Sequence, residues 1–146
     1  MKKKSKRLSV LIKIEEAKER EEARKFSEYQ KATADKRKKL SDLEGYLGEY
    51  KEKFLALTRN GTGAETIRSC YAFISQLNSA IVHQRKVVQE AEEDVEAYRQ
   101  MWLQAKQRMD ILEKTISRFR DEELRDEQKR EQLLADELGR YKSRDQ

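Results

Sequence analysis

Proline is absent, cysteine and histidine occur once each, and there are only five glycines among 146 residues. The missing proline removes the strongest helix breaker. A single cysteine excludes an internal disulfide framework and fits a reducing compartment. One histidine and one cysteine cannot assemble a zinc cluster. No apolar run approaches the roughly 20 residues that a membrane-spanning helix needs. The basic start followed by Leu8-Ser-Val-Leu-Ile12 imitates a signal peptide, but Lys13 and Glu15-Glu16 cut it short and no small-residue cleavage site follows. The chain is therefore expected to begin at or near Met1 in the cytoplasm, where the Asn60-Gly61-Thr62 sequon is only a turn.

What is abundant is charge. Charged residues make up 42% of the chain, hydrophobic ones 36%, and the mean hydropathy is −1.07. Such a composition suits a disordered chain or a long helix with a narrow apolar stripe. The wealth of Ala, Leu, Glu, Lys, Gln and Arg favours the helix. The net charge of +5 comes from 33 basic residues set against 28 acidic ones. That mixture describes a solvated, ion-paired helix surface rather than a nucleic-acid face. One asymmetry stands out: Met1 to Arg7 carries five basic residues and no acid.

The chain has one clear interruption, Arg59-Asn-Gly-Thr-Gly63-Ala-Glu-Thr66. Asn-Gly and the second glycine supply the positive φ that ends a helix, and Thr66 is a candidate cap for the next one. No strand precedes this Gly-x-Gly, so it is not a phosphate loop. From Ile67, alternating steps of three and four land on Cys70, Ile74, Leu77, Ile81, Gln84, Val88, Ala91, Val95, Tyr98, Trp102, Ala105, Met109, Leu112, Ile116 and Phe119. Only Gln84 is polar, and the spacing is that of a coiled-coil seam. Backwards from Leu57 the same steps give Phe54, Tyr50, Leu47, Leu43, Leu40, Lys36, Thr33, Tyr29, Phe26, Glu22, Glu19, Glu15, Ile12 and Leu8. Between Lys36 and Glu15 this series is mixed, and Ala17, Ala23 and Ala32 lie outside it, which predicts a local register slip or looser packing.

The expected fold is all-α: a long antiparallel two-helix coiled coil in a single domain over 1–146. Helix one is expected over about 6–58, a loop over 59–66, and helix two over about 67–140. A short connection makes the helices antiparallel neighbours whose paired residue numbers add to about 125. The paired rod would be roughly 75 Å long. The seam of helix two stops at Phe119, where helix one runs out near Leu8, so an unpaired overhang begins beyond about residue 119. That overhang reads equally as a fraying end or as a segment ordered by a partner.

Chemistry is scarce. A catalytic site needs a concave, partly dry pocket, and a two-stranded seam supplies none, so the chain is read as non-enzymatic, without cofactor, metal or small-molecule substrate. His83 falls one place off the seam, Cys70 is a small seam hydrophobe, and Trp102 packs the core. The interesting residues are those a plain hairpin does not require. Gly45 and Gly48 cost roughly 1 kcal/mol each relative to alanine and sit beside Tyr46 and Tyr50. Across the seam at that level lie Phe73, Ile74, Leu77 and Ala80. This end carries more apolar surface than one seam can bury, which marks either a protein interface or a wider core. The other end combines the basic start with Leu8, Val10, Leu11, Ile12 and Ile14, and suits an acidic membrane surface or a protein cavity.

These residues resemble the FliJ family, the small coiled-coil component of the bacterial flagellar type III export apparatus. The resemblance is carried by Arg7-Leu8 and Leu11, then Glu15, Glu19 and Ala23, then Leu43-x-x-Tyr46-x-x-x-Tyr50. After the loop it continues in Tyr71-x-Phe73-Ile74-x-x-Leu77-x-x-Ala80-Ile81-x-x-Gln84-Arg85, in Trp102 and in Asp126-Glu-Gln-Lys129. It covers nearly the whole chain, and the Tyr/Phe/Leu set near the loop is its most specific part. It implies a stalk whose termini enter the central hole of the hexameric export ATPase, with Arg7, Leu8, Leu11, Ile12, Leu134 and Leu138 as the contact residues. It implies a second contact, with the cytoplasmic domain of the membrane export gate, through Leu43, Tyr46, Tyr50, Phe73, Leu77 and Ala80. A histidine of that surface in the family falls at Gln84 here, with His83 beside it. The family's Asp-Glu-Phe-Ala-like ending is followed only loosely by Asp136-Glu137-Leu138-Gly139. Export chaperones are further implied partners, and the implied place is the cytoplasmic face of the inner membrane at the flagellar base, with the free chain monomeric. Three other readings stay open: the equivalent stalk of a virulence-type injectisome, which shares this architecture, a nucleic-acid-binding helical arm, and a chaperone or scaffold with no ring partner. The arm needs a continuous basic stripe, which the acids interrupt.

Overall fold

The structure is a computed structural model that describes residues 3–145. It contains two helices, α1 over Lys4–Arg59 (56 residues) and α2 over Ala64–Arg144 (81 residues), and no strand among the described residues. The all-α helical hairpin expected from the 3-4 spacing is what forms. Both helices extend beyond the bounds expected from sequence, and only Asn60 to Gly63 remains between them.

The turn is closed by backbone groups. Gly61 has φ +67°, and the Thr62 amide donates to the Leu57 carbonyl at 3.2 Å, the six-to-one bond of a Schellman cap. The amide of Ile67 donates to the Gly63 carbonyl at 3.3 Å, so α2 starts from Gly63. Thr66 is therefore not the cap. It lies inside the first turn, because the glycine carbonyl begins the helical bonding three residues earlier.

The contacts divide the hairpin into two units. One contains 23–101, including the turn, and the other contains 1–22 with 102–146. In the loop-proximal unit the α2 seam positions Ile74, Leu77, Ile81, Gln84, Val88 and Ala91 are all buried. Facing them, Leu40, Leu43, Leu47, Tyr50, Phe54 and Leu57 of α1 are half-buried, and Thr33 is the most buried of the described residues at 2% exposure. Aromatic rings tie the helices together: Tyr29 stacks on Tyr98 with centroids 4.1 Å apart, Tyr50 meets Phe73 at 4.4 Å, and Phe54 meets Tyr71 at 6.3 Å.

In the other unit Ala105 and Ile116 are buried, and Trp102, Met109, Leu112 and Phe119 are half-buried. Their α1 neighbours Leu8, Ile12, Glu15, Glu19 and Glu22 are half-buried as well. Of the register slip or looser packing expected in the mixed stretch, the seam frame itself is kept, with Ala17 and Ala32 exposed, but the seam positions Tyr29 and Lys36 are exposed and the off-frame Ala23 is half-buried. Two of the polar seam positions find partners for their polar atoms: Trp102 Nε1 donates to Glu19 Oε1 at 2.8 Å, and the Thr33 hydroxyl donates to the Tyr29 carbonyl at 2.7 Å. Trp102 is thus a seam residue, as expected, but one whose indole N–H holds a carboxylate.

Candidate functional site

Each seam has two flanks, formed by the residue just before each a position (g) and the residue just after each d position (e). In the loop-proximal unit these flanks differ in chemistry. On the e flank, Arg37 Nε lies 2.9 Å from Glu92 Oε1 and Arg85 Nη2 lies 3.4 Å from Glu44 Oε1. All four side chains are about half-exposed, so the pairs fix register more than they add stability. On the g flank stand Tyr46, Phe73 and Ala80, all exposed and uncharged, between Lys39 and Lys53 of α1. Tyr46 is 52% exposed and Phe73 40%, and the Phe73 ring leans on that of Tyr50. Lys53 borders the patch, its Nζ 4.8 Å from the Tyr50 ring centroid.

The residues matched to the gate surface therefore fall into two sets. Tyr46, Phe73 and Ala80 form the exposed flank. Leu77 and Gln84 are seam residues, 7% and 5% exposed, and Leu43 and Tyr50 are half-buried beside them. Gln84 Nε2 donates to the Lys36 carbonyl at 3.0 Å, while His83 is exposed. Gly45 and Gly48 do not interrupt α1, and a Cβ at either position would meet nothing within 4 Å. They occupy the outer side of α1, so the Tyr46 patch does not depend on them for space. Cys70 is half-buried in the seam, its Sγ 3.9 Å from the Tyr50 carbonyl oxygen.

At the other unit the start of α1 is held by α2. Ser5, only 5% exposed, donates both its hydroxyl (2.6 Å) and its amide (3.2 Å) to the Glu123 carboxylate. A carboxylate at a helix N-terminus satisfies free amides and meets the positive end of the dipole. The Ser5 hydroxyl, the Ser5 amide and nearby Lys3 and Arg120 hold the Glu123 carboxyl below its ordinary value, against a smaller opposing effect of burial. Glu123 is the next seam position after Phe119, so the seam ends one step later than its apolar series. The sequence signal for this contact was the 3-4 step itself, which is easily overlooked where it lands on a glutamate.

Beyond Glu123 every described residue of α2 is exposed, yet the helix continues to Arg144. Leu124, Leu133, Leu134, Leu138 and Tyr141 are all more than half-exposed on this segment. Of the residues matched to ATPase contact, Arg7, Leu11, Leu134 and Leu138 are exposed, whereas Leu8 and Ile12 are half-buried in the seam.

Among the described residues, no group of three or more His, Cys, Asp or Glu is arranged to hold a metal ion, and no helix is long and apolar enough to cross a membrane.

A family profile described as Flagellar FliJ protein matches residues 4–146. The chain belongs to the FliJ family. It is a component of the flagellar type III export apparatus, and the family is a structural part of that apparatus. No curated protein and no solved structure gives a significant match. The features of this FliJ-family chain that can act are surfaces: an exposed patch of Tyr46, Phe73 and Ala80 near the turn, a basic apolar start, and an exposed helical segment beyond Glu123.

Proposed function

We propose that the chain is a stalk-like, non-enzymatic link within the flagellar export apparatus. Its terminal region binds the hexameric export ATPase and helps assemble or activate it. Its loop-proximal flank contacts the cytoplasmic domain of the export gate, and the chain also takes part in handling export chaperones. On this reading it is monomeric when free and works in the cytoplasm, against the inner membrane at the flagellar base.

The observation that carries the reading is the continuation of α2 past Glu123 with Leu134 and Leu138 exposed and no residue of α1 opposite. Exposed leucines at helical spacing on an otherwise charged helix are an anchor for a groove or ring interior. Arg7 and Leu11 add a cationic and an apolar contact beside the α1 start. Leu8 and Ile12 support that surface from the seam. A stalk bound asymmetrically in a ring biases the conformations of its subunits only through contacts that differ from subunit to subunit. At the loop-proximal end, Tyr46 and Phe73 are the anchors for the gate, since aromatic side chains dominate such contacts. Leu43, Tyr50, Leu77 and Gln84 hold those anchors in place.

The test is to mix the chain with the export ATPase and follow hexamer assembly and ATP hydrolysis. The full chain should promote both, and Leu134→Asp with Leu138→Asp should abolish the effect while helicity is retained. No change in either quantity with the full chain would refute the ATPase assignment.

A further inference from the structure

The start of α1 has a second face that the hairpin does not use. Through residue 14 the chain carries six basic residues and no acid. Leu8 and Ile12 turn into the seam, while Val10, Leu11 and Ile14 stand about half or more exposed on the side away from it. Ile14 and Ala17 also line a shallow groove of about 490 Å³ with Lys13 and Lys18, and Glu21 and Glu22 close its far end. Ile14 of α1 and Ile111 of α2 hold equivalent positions, each just before a d position and therefore on the same side of the hairpin. Ile111 is 65% exposed, with Lys114 and Arg118 around it. The face is thus aliphatic in the middle and basic around the α1 start, with acids at the end towards Glu21 and Glu22.

We infer that this face docks on an anionic lipid surface. The apolar residues are aliphatic, with none of the Trp or Tyr anchors that mark protein interfaces, and lysine, the commonest charge around them, is depleted in such interfaces. Aliphatic side chains flanked by lysines are the composition of a helix that lies in the headgroup region. Each basic residue near an anionic surface tightens binding by roughly fivefold, and shallow burial of Val10, Leu11 and Ile14 adds the apolar term. Arg7 and Leu11 belong both to this face and to the surface assigned above to the ATPase. Lipid and ring are then alternative partners for the α1 start, and the lipid contact does not depend on the ATPase reading.

The experiment is co-sedimentation of the full chain with phosphatidylcholine vesicles and with vesicles containing about 30% phosphatidylglycerol. A fluorophore on Ile14→Cys, in a Cys70→Ala background, reports insertion. The expected result is at least about tenfold stronger partition onto the anionic vesicles, with a blue shift of the fluorophore. Leu11→Ser with Ile14→Ser should weaken partition about tenfold with unchanged helicity, since both side chains are exposed. Partition indifferent to these substitutions and without a blue shift would be charge adsorption only and would overturn the proposal. Equal binding to both vesicle types, or equally tight binding to soluble polyglutamate, would overturn it too, the latter in favour of an acidic protein partner. The assay contains no ATPase, so its failure leaves the ring reading untouched.

Discussion

Gln84 reaches across the seam and donates its side-chain amide to the backbone carbonyl of Lys36, 3.0 Å away. It is the only polar residue in the α2 series from Ile67 to Phe119, and it is 5% exposed. A lone buried polar residue in a seam specifies register at some cost in stability. The Lys36 carbonyl sits inside α1 and retains its helical bond when Gln84 is removed. Gln84→Leu should accordingly be neutral or stabilising by up to about 1 kcal/mol in urea unfolding followed by circular dichroism. Gln84→Ala, which leaves a void, should be destabilising by about 1–2 kcal/mol.

The gate-matched residues should separate into two phenotypes. Leu77→Ala removes a buried seam side chain and should cost about 2–3 kcal/mol of stability. Tyr46→Ala should cost under about 1 kcal/mol, because half of its ring is exposed, and Phe73→Ala about 1–2 kcal/mol, because its ring also packs on Tyr50. Calorimetric titration with the gate's cytoplasmic domain should nevertheless find both weakened at least about tenfold. Unchanged affinity in these two, with helicity retained, would refute the gate assignment.

Gly45 and Gly48 lie within a continuous helix with open space where a Cβ would go. Alanine at either should stabilise the hairpin by roughly 0.5–1 kcal/mol, through backbone entropy lost from the unfolded chain. The check is the thermal midpoint of each single variant and of the pair. A loss of gate affinity in variants that are more stable would show that the partner's backbone approaches the glycines.

The Ser5–Glu123 contact makes the α1 start sensitive to acid. The Glu123 carboxyl is held below its ordinary value of 4.5, chiefly by the Ser5 hydroxyl. A lowered folded-state pKa contributes stability that is complete above the ordinary value and is lost as pH falls through the folded one. The protection factor of the Ser5 amide, its exchange rate relative to the intrinsic rate at each pH, should therefore be constant from neutral pH down to about 5 and fall below the ordinary carboxylate range. Ser5→Ala should move the Glu123 titration, read by carboxyl carbon NMR shifts, upward towards 4.5.

Much of this was legible in the residues. The alternating three and four steps after Ile67 predict a buried seam, and every position of that series is buried or half-buried. The same steps in α1 hold through Glu15, Glu19 and Glu22, where composition argued for a slip. A carboxylate at a seam position is read from sequence as an error in the frame, yet its stem packs and its oxygens can find a donor, as Glu19 finds the Trp102 indole. The site residues were less legible. Leu77 and Phe73 look alike in sequence as members of one apolar patch, but one is core and the other surface, because they differ by about 40° around the helix axis.

What the sequence determined alone is the hairpin: a continuous 3-4 apolar period, no proline and one Asn-Gly turn leave antiparallel helices as the way to bury the stripe. What only the tertiary structure decided is the sorting of everything beside the stripe. The pairing between helices brings Arg37 to Glu92 and Glu44 to Arg85 on one flank, and leaves Tyr46, Phe73 and Ala80 uncharged on the other. It also sets Glu123 over the start of α1 and leaves the described residues of α2 beyond it exposed. The physical reason is that helical period depends on neighbours within one segment, whereas flanks and ends depend on which residues of two distant segments stand at the same level.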